Sequence, residues 1–321
     1  MSHDAGGNKA VVIRSSLRRR VGRRMMSFAA ALLVFLLSDS ARAQQRPQRT
    51  AKPPFSINKD HEKYLDQILA YWEYKSNQIK TFSCKFTRWE FDPNWGPKDW
   101  NKHKTESEGV IKYAKPDKAM FRVDKVREYT RGAKPEYVLQ KSQYREYWIC
   151  DGKSVIEMNS PQKQLIERRL PKHLQGTTIA DGPVPFLFGA KKDKLKRRYW
   201  MRVVTPREAK NEYWIEAVPK HRRDAANYER VEIILAEKDY LPKAIQIFLP
   251  DGVTRTVFSF TGRKVNDPLV RLQKDFSKPG VPRGWTKVVE NYDGPADGRG
   301  TAAPPRNGRQ AKKPGRQGRR C

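Results

Sequence analysis

After Ile79 the apolar residues of this chain recur at every second position, and that period commits it to a sheet with one greasy face. Phe82, Cys84 and Phe86 alternate with Ser83, Lys85 and Thr87, the signature of a half-buried strand. Further strand-like runs follow at Glu106–Tyr113, Lys118–Lys125, Gln143–Cys150, Ser154–Asn159 and Gln164–Leu170. Later ones are Tyr199–Thr205, Glu212–Val218, Tyr228–Glu237, Pro242–Leu249 and Val253–Phe260. Asp151-Gly152 and Asp251-Gly252 fall between such runs, where they favour the tight turns of hairpins. Closely spaced strands joined by short turns predict an antiparallel meander and argue against a parallel α/β sheet. The span from Phe55 to Arg263 suits one mainly β domain.

Ahead of the strands, Lys59–Lys80 changes to helical spacing. Leu65, Ile68, Leu69, Trp72 and Ile79 share a face, Lys63, Asp66, Gln67, Glu73 and Lys75 lie opposite, and Asn58 or Asp60 supplies the cap. An amphipathic helix of this kind must lie on something. The segment Asp181–Ala190 breaks the strand rhythm: it is apolar, punctuated by Pro183 and Pro185, and followed by Lys191 and Lys192. A short apolar helix laid across an open sheet is its simplest packing. Residues 264–293 keep a few apolar positions (Leu269, Val270, Leu272, Phe276, Trp285), enough for a last helix and an edge strand.

The two ends have other work. Arg14, Arg18–Arg20, Arg23 and Arg24 precede an apolar run from Met25 to Leu37, and Ala41-Arg42-Ala43 offers small residues for cleavage. That order predicts a signal peptide over 1–43, with an uncleaved anchor as the alternative. The run is shorter than the ~20 residues that span a bilayer. Residues 44–57 read as a linker and 294–321 as a disordered basic tail. The expected location is the periplasm or cell envelope, which excludes most ATP-driven chemistry. Of the net charge of +31, residues 1–51 hold +8 and residues 294–321 hold +7, which leaves +16 for 52–293. The folded part is itself basic and suits polyanions. Outside the cytoplasm these are anionic membrane surfaces or acidic cell-wall polymers more than nucleic acid. Cys84 and Cys150 lie in strand contexts, where a disulfide and two buried thiols stand as equal readings.

Nothing in the sequence asks for catalysis. His61, His103, His173 and His221 are scattered without metal spacing, and Gly-x-Ser-x-Gly and phosphate-cradling loops are both missing. No cofactor is expected. A binding protein needs less: a curved sheet with one apolar face and a helix across its mouth encloses a dry cavity. Phe82, Phe86, Phe121, Trp148, Phe186, Leu187 and Phe188 are the candidate ligand-binding side chains. The competing reading is that they fill a closed core.

Six segments in order resemble the outer-membrane lipoprotein carriers (LolA). They are Phe82–Arg88 (FSCKFTR), Gly109–Asp117 (GVIKYAKPD), Ile149–Val155 (ICDGKSV), Gly182–Gly189 (GPVPFLFG), Ile215–Lys220 (IEAVPK) and Tyr240–Phe260. The whole looks closer still to an uncharacterised Planctomycetes group with this domain. The resemblance spans about Ile57 to Gly262. It implies a half-open, strongly curved antiparallel barrel covered by short helices over 58–263, followed by an extension over 264–293. It also implies that lipid or lipoprotein acyl chains are the cargo and that an inner- or outer-membrane protein is a partner. In the carriers an Arg before Pro latches the lid; here the position is Lys115, which lacks the planar fork of Arg. Insertions around Trp95–His103 and Arg127–Tyr144 depart from the carriers. Relatives of this fold include envelope-stress sensors, so a charged sensing module without cargo stands as the alternative function.

Overall fold

The computed structural model describes residues 52–291, apart from 57, 132–135, 142–145, 173–174, 176–184, 189–190 and 273. The expected signal peptide, residues 44–51 and 57 of the linker, and the basic tail lie outside the described residues. The first helix, α1 (Lys59–Asn77), begins where Asn58 stands extended and its side-chain oxygen accepts from the Asp60 N–H at 3.0 Å. It buries Leu65, Ile68, Leu69 and Trp72, the face its spacing predicts.

The strands follow as β1 (Thr81–Phe91), β2 (Thr105–Ala114), β3 (Lys118–Thr130), β4 (Glu136–Leu139), β5 (Tyr147–Asp151), β6 (Ser154–Asn159) and β7 (Gln164–Arg169). Two short helices, α2 (Pro185–Phe188) and α3 (Lys192–Arg198), lead into β8 (Tyr199–Val203) and β9 (Glu212–Pro219). After α4 (Arg222–Ala225) come β10 (Arg230–Ala236), β11 (Pro242–Phe248), β12 (Arg255–Val265), α5 (Leu269–Leu272) and β13 (Thr286–Asn291). All belong to one sheet, ordered β13-β7-β6-β5-β3-β2-β1-β12-β11-β10-β9-β8, with β4 alongside β3. β13 and β8 stand at opposite ends of that path, so the sheet is curved and unclosed. The expected half-open barrel covered by short helices is the architecture observed.

Its pairs are antiparallel as the turn spacing requires, with one exception: β13 runs parallel to β7. A strand that returns after a long connection has no hairpin to reverse it. Three further elements, β4, α3 and α4, went unforeseen. β4 is exposed along its whole length, so it shows no alternation to read. α3 buries only Leu195 among its seven residues.

The inner face of the sheet and the buried stripe of α1 share one core. A smaller cluster on the outer face joins Ala114, Met120 and Ile149 to Val270 and Phe276 of the C-terminal extension. Asn266 ties that extension to the end of α1: its Oδ1 accepts from the Lys80 N–H at 2.6 Å, and its Nδ2 donates to the Gln78 carbonyl. Asp275 then receives the Lys112 ammonium at 2.5 Å.

Candidate functional site

The inner face is built from alternate residues of neighbouring strands. Phe82, Cys84, Phe86 and then Arg88 project inward from β1, all buried. Phe86 stacks on Phe121 of β3 at 4.8 Å and 17°, and Phe121 stacks on Trp148 of β5 at 5.5 Å and 12°. Phe258 of β12 closes on Phe86 from the other side at 5.9 Å. A continuous aromatic floor thus crosses five adjacent strands. It depends on Gly109, the partner of Phe86 in β2. A Cβ there would stand 2.1 Å from the Arg122 carbonyl oxygen and 2.6 Å from Phe86 Cζ. The ring lies where a side chain would otherwise be.

The floor ends in charge. Arg88 is 3% exposed, and its guanidinium donates to both carboxylate oxygens of Glu146, at 2.7 and 3.3 Å, and to Ser107 Oγ at 3.3 Å. Burial opposes the cation, but Glu146 and then Glu90 outweigh it and raise the Arg88 pKa. Glu90 lies 3.3 Å from Arg88 Nε, close enough for Coulombic attraction but outside hydrogen-bond alignment. Among the described residues, Trp148 Nε1 on the same face is also buried without an acceptor. Buried donors normally find partners, so two unspent ones beside an aromatic floor are chemically informative. The sequence carried a signal for Arg88: it falls at the next inward position after Phe82, Cys84 and Phe86, where an apolar residue belongs.

Of the residues expected to line a cavity, Phe82, Phe86, Phe121 and Trp148 come together in this floor. Phe186 and Leu187 of α2 are buried in the same core, with the Phe186 ring 5.1 Å from Tyr199 of β8. The Phe188 side chain and the rest of the expected lid lie outside the described residues. Tyr199 shares a 2.7 Å hydroxyl contact with Tyr228, and Arg198 forks onto Asp224 at 2.7 and 3.0 Å. Burial pushes the Tyr199 hydroxyl up to about 12. The Lys115 ammonium donates to the Asn77 carbonyl at 3.3 Å, so its contact is with the C-terminal end of α1.

Several solved structures share a similar course of chain. An uncharacterised conserved protein from Thermus thermophilus aligns at TM-score 0.39 and 9% identity, over 70% of this chain and 98% of that one. A LolA superfamily protein from Nitrosomonas europaea gives 0.29 and 11%, over 65% and 98%. A putative outer-membrane lipoprotein-sorting domain from Vibrio parahaemolyticus gives 0.31 and 10%, over 66% and 95%. No family model matches the chain, and no curated protein matches it. Nothing in these comparisons supports the closer resemblance to a Planctomycetes group. At such scores the likeness carries no weight alone, and the fold class stands on the sheet's own ladders.

Other chemistry has less to build on. Cys84 and Cys150 are free and buried, and burial pushes both thiols up to about 12. They sit on β1 and β5 with β2 and β3 between. Three strand spacings put them roughly 14 Å apart, beyond disulfide reach. The structure therefore decides for the thiols, although their strands are not neighbours. Among the described residues, no group of three or more His, Cys, Asp or Glu is placed to hold a metal. A surface cleft of about 490 Å³ runs between α1 and Lys192, lined by Lys59, Glu62, Lys63 and Asp66. It is polar and lies outside the aromatic floor.

Proposed function

We propose that this chain is an exported, non-catalytic binding protein of the cell envelope that holds an acyl chain of a lipid or lipoprotein against the inner face of its sheet. The observation that carries the reading is the coincidence, on one face, of a continuous aromatic floor and two buried donors that find no acceptor in hydrogen-bond alignment among the described residues. Hydrocarbon suits the floor, since burial releases about 0.8 kcal/mol per CH₂. A palmitoyl-length chain therefore supplies on the order of 10 kcal/mol gross, enough for useful affinity after association costs. Arg88 Nε and Trp148 Nε1 suit the ester or carboxyl oxygens of a head group. Phe82, Phe86, Phe121, Trp148, Phe186, Leu187 and Phe188 are the contact residues in this reading. Cargo enters by lifting the four-residue α2 from Tyr199, and Lys115 holds α1 in place through Asn77. The sequence's own export signal supports the envelope as the location.

The close packing of these aromatics favours a second reading. Phe82 is fully buried and Trp148, the most open of the floor with an assigned candidate role, is 9% exposed. A core that is simply closed leaves a charged module that binds acidic polymer or senses envelope state without cargo. Titration of delipidated protein with a fluorescent long-chain fatty acid separates the two. The carrier reading requires saturable uptake, competed by unlabelled fatty acid and at least about tenfold less by a headless alkane. Absence of uptake by folded, delipidated protein would leave the second reading.

A further inference from the structure

One rim of the sheet, where β1 and β3 end and β2 and β12 begin, presents aromatic rings to solvent. Trp95 is 65% exposed and Trp100 49%, on the loop between β1 and β2. Beside them the exposed strand β4 adds Tyr137, Val138 and Leu139, the last 58% exposed. The loop is held firmly. Asp92 Oδ1 accepts from the Asn94 and Trp95 N–H groups at 3.0 and 3.2 Å. Arg131, at the end of β3, donates to the Asn94 and Gly96 carbonyls at 3.1 and 2.7 Å. Arg255 of β12 donates to the Trp100 carbonyl, and its guanidinium lies 4.3 Å from the Phe91 ring. Tyr137 Oη reaches the His103 carbonyl at 2.6 Å, which joins β4 to the same surface.

Basic side chains flank the exposed indoles along this loop. Lys98, Lys102 and Arg131 are exposed, and Lys104 and Arg255 are half-buried. Of the loop's own carboxylates, Asp92 caps the turn, and Asp99 accepts from the Asn101 N–H at 2.9 Å and lies 3.9 Å from the Lys102 ammonium, an exposed pair that leaves both lysines open to solvent. Exposed indoles fixed on a braced loop and ringed by cations match the requirements of a bilayer interface. Indole rings settle at headgroup level, and each nearby cation gains from an anionic surface. The excess positive charge of the folded part adds to the attraction.

We propose that this rim docks on an anionic phospholipid bilayer, with Trp95 and Trp100 seated among the head groups and Lys98 and Lys102 against lipid phosphates. The surface stands independently of the cargo reading, since docking requires no occupied interior.

The test uses the full chain and vesicles of phosphatidylglycerol and phosphatidylcholine with bromine-labelled acyl chains. Wild-type protein is expected to bind, with part of its tryptophan emission quenched by bromine, and to give no quenching with pure phosphatidylcholine vesicles. The double variant Trp95→Ala/Trp100→Ala should lose that quenching and weaken binding at least about tenfold. Lys98→Ala/Lys102→Ala should weaken it roughly fivefold per charge removed. All four side chains are exposed, so an unchanged urea midpoint is expected and certifies the fold. Unquenched binding by wild type, or undiminished affinity in the tryptophan double variant, would assign vesicle binding to another part of the chain and overturn the proposal. Fatty-acid uptake by the same double variant should be unchanged, which keeps this test separate from that of the cargo.

Discussion

Gly109→Ala is the smallest change that should damage the inner face. The added Cβ would sit 2.1 Å from the Arg122 carbonyl oxygen and 2.6 Å from Phe86 Cζ. Comfortable separations between carbon atoms are about 3.5–4.0 Å, so both neighbours must retreat by more than about 1 Å. Neither is free to do so. Arg122 is backbone in the β2–β3 ladder, next to the register shift at Glu108–Gly109. Phe86 is 2% exposed and wedged between Phe121 and Phe258. Overpacking of a well-filled core costs typically 1–3 kcal/mol, and two immobile neighbours place this substitution near ~3 kcal/mol. Urea unfolding followed by tryptophan fluorescence measures it. Gly280→Ala serves as the control, because nothing lies within 4 Å of the Cβ it would carry; its effect should stay within about 0.5 kcal/mol. A Gly109→Ala protein as stable as the control would refute the close approach of Phe86 to β2.

Three other outcomes follow from the same contacts. Glu146→Gln leaves the buried Arg88 cation without its main counter-charge and should cost about 3 kcal/mol. Much of that loss should return when Arg88→Met is added, read by the same denaturant curve. Glu167 is held down to about pKa 2 by its hydrogen bonds to the Lys278 and Lys287 ammonium groups. A carboxylate depressed in this way stabilises the fold above its ordinary pKa of ~4.3. That contribution is lost as pH falls from there toward 2. Hydrogen exchange over residues 278–291 should therefore accelerate between pH 5 and 2 more than exchange over β10 (about those limits, by linkage). Cys84 and Cys150, buried and pushed up to about 12, should resist a thiol reagent in the native state and react fully in denaturant. Rapid labelling of either thiol in folded protein would contradict their placement.

Much of this architecture was legible because its residues obey periods that only one arrangement satisfies. Leu65, Ile68, Leu69 and Trp72 can share a face only on a helix, and Phe82, Cys84 and Phe86 only on a strand. Asp151-Gly152 marks its hairpin because Gly152 adopts φ 91° and Asp151 Oδ1 collects the N–H groups of Lys153 and Ser154. What escaped was what period cannot encode. β4 pairs with β3 while every one of its side chains is exposed, so it has no alternation to read. β13 takes its direction from where the chain returns. The second core arises because β3 and β5 are covered on both faces, with Met120 and Phe121 buried on opposite sides. The seven expected contact residues were chosen for size and apolarity. Those properties locate the inner face, but a hollow and a filled core demand the same side chains. Arg88 and Glu146, the polar end of that face, were overlooked because a charge in an inward register makes sense only once its partner is in place.

Native mass spectrometry of the full-length protein, purified gently from the cells that make it, puts the cargo reading to its most direct trial. The account predicts a population heavier than the bare chain by the mass of one acyl lipid, shed on organic extraction and diminished in Arg88→Met. Bare chain alone, from protein that also ignores added fatty acid, would mean that the aromatics on the inner face serve only one another.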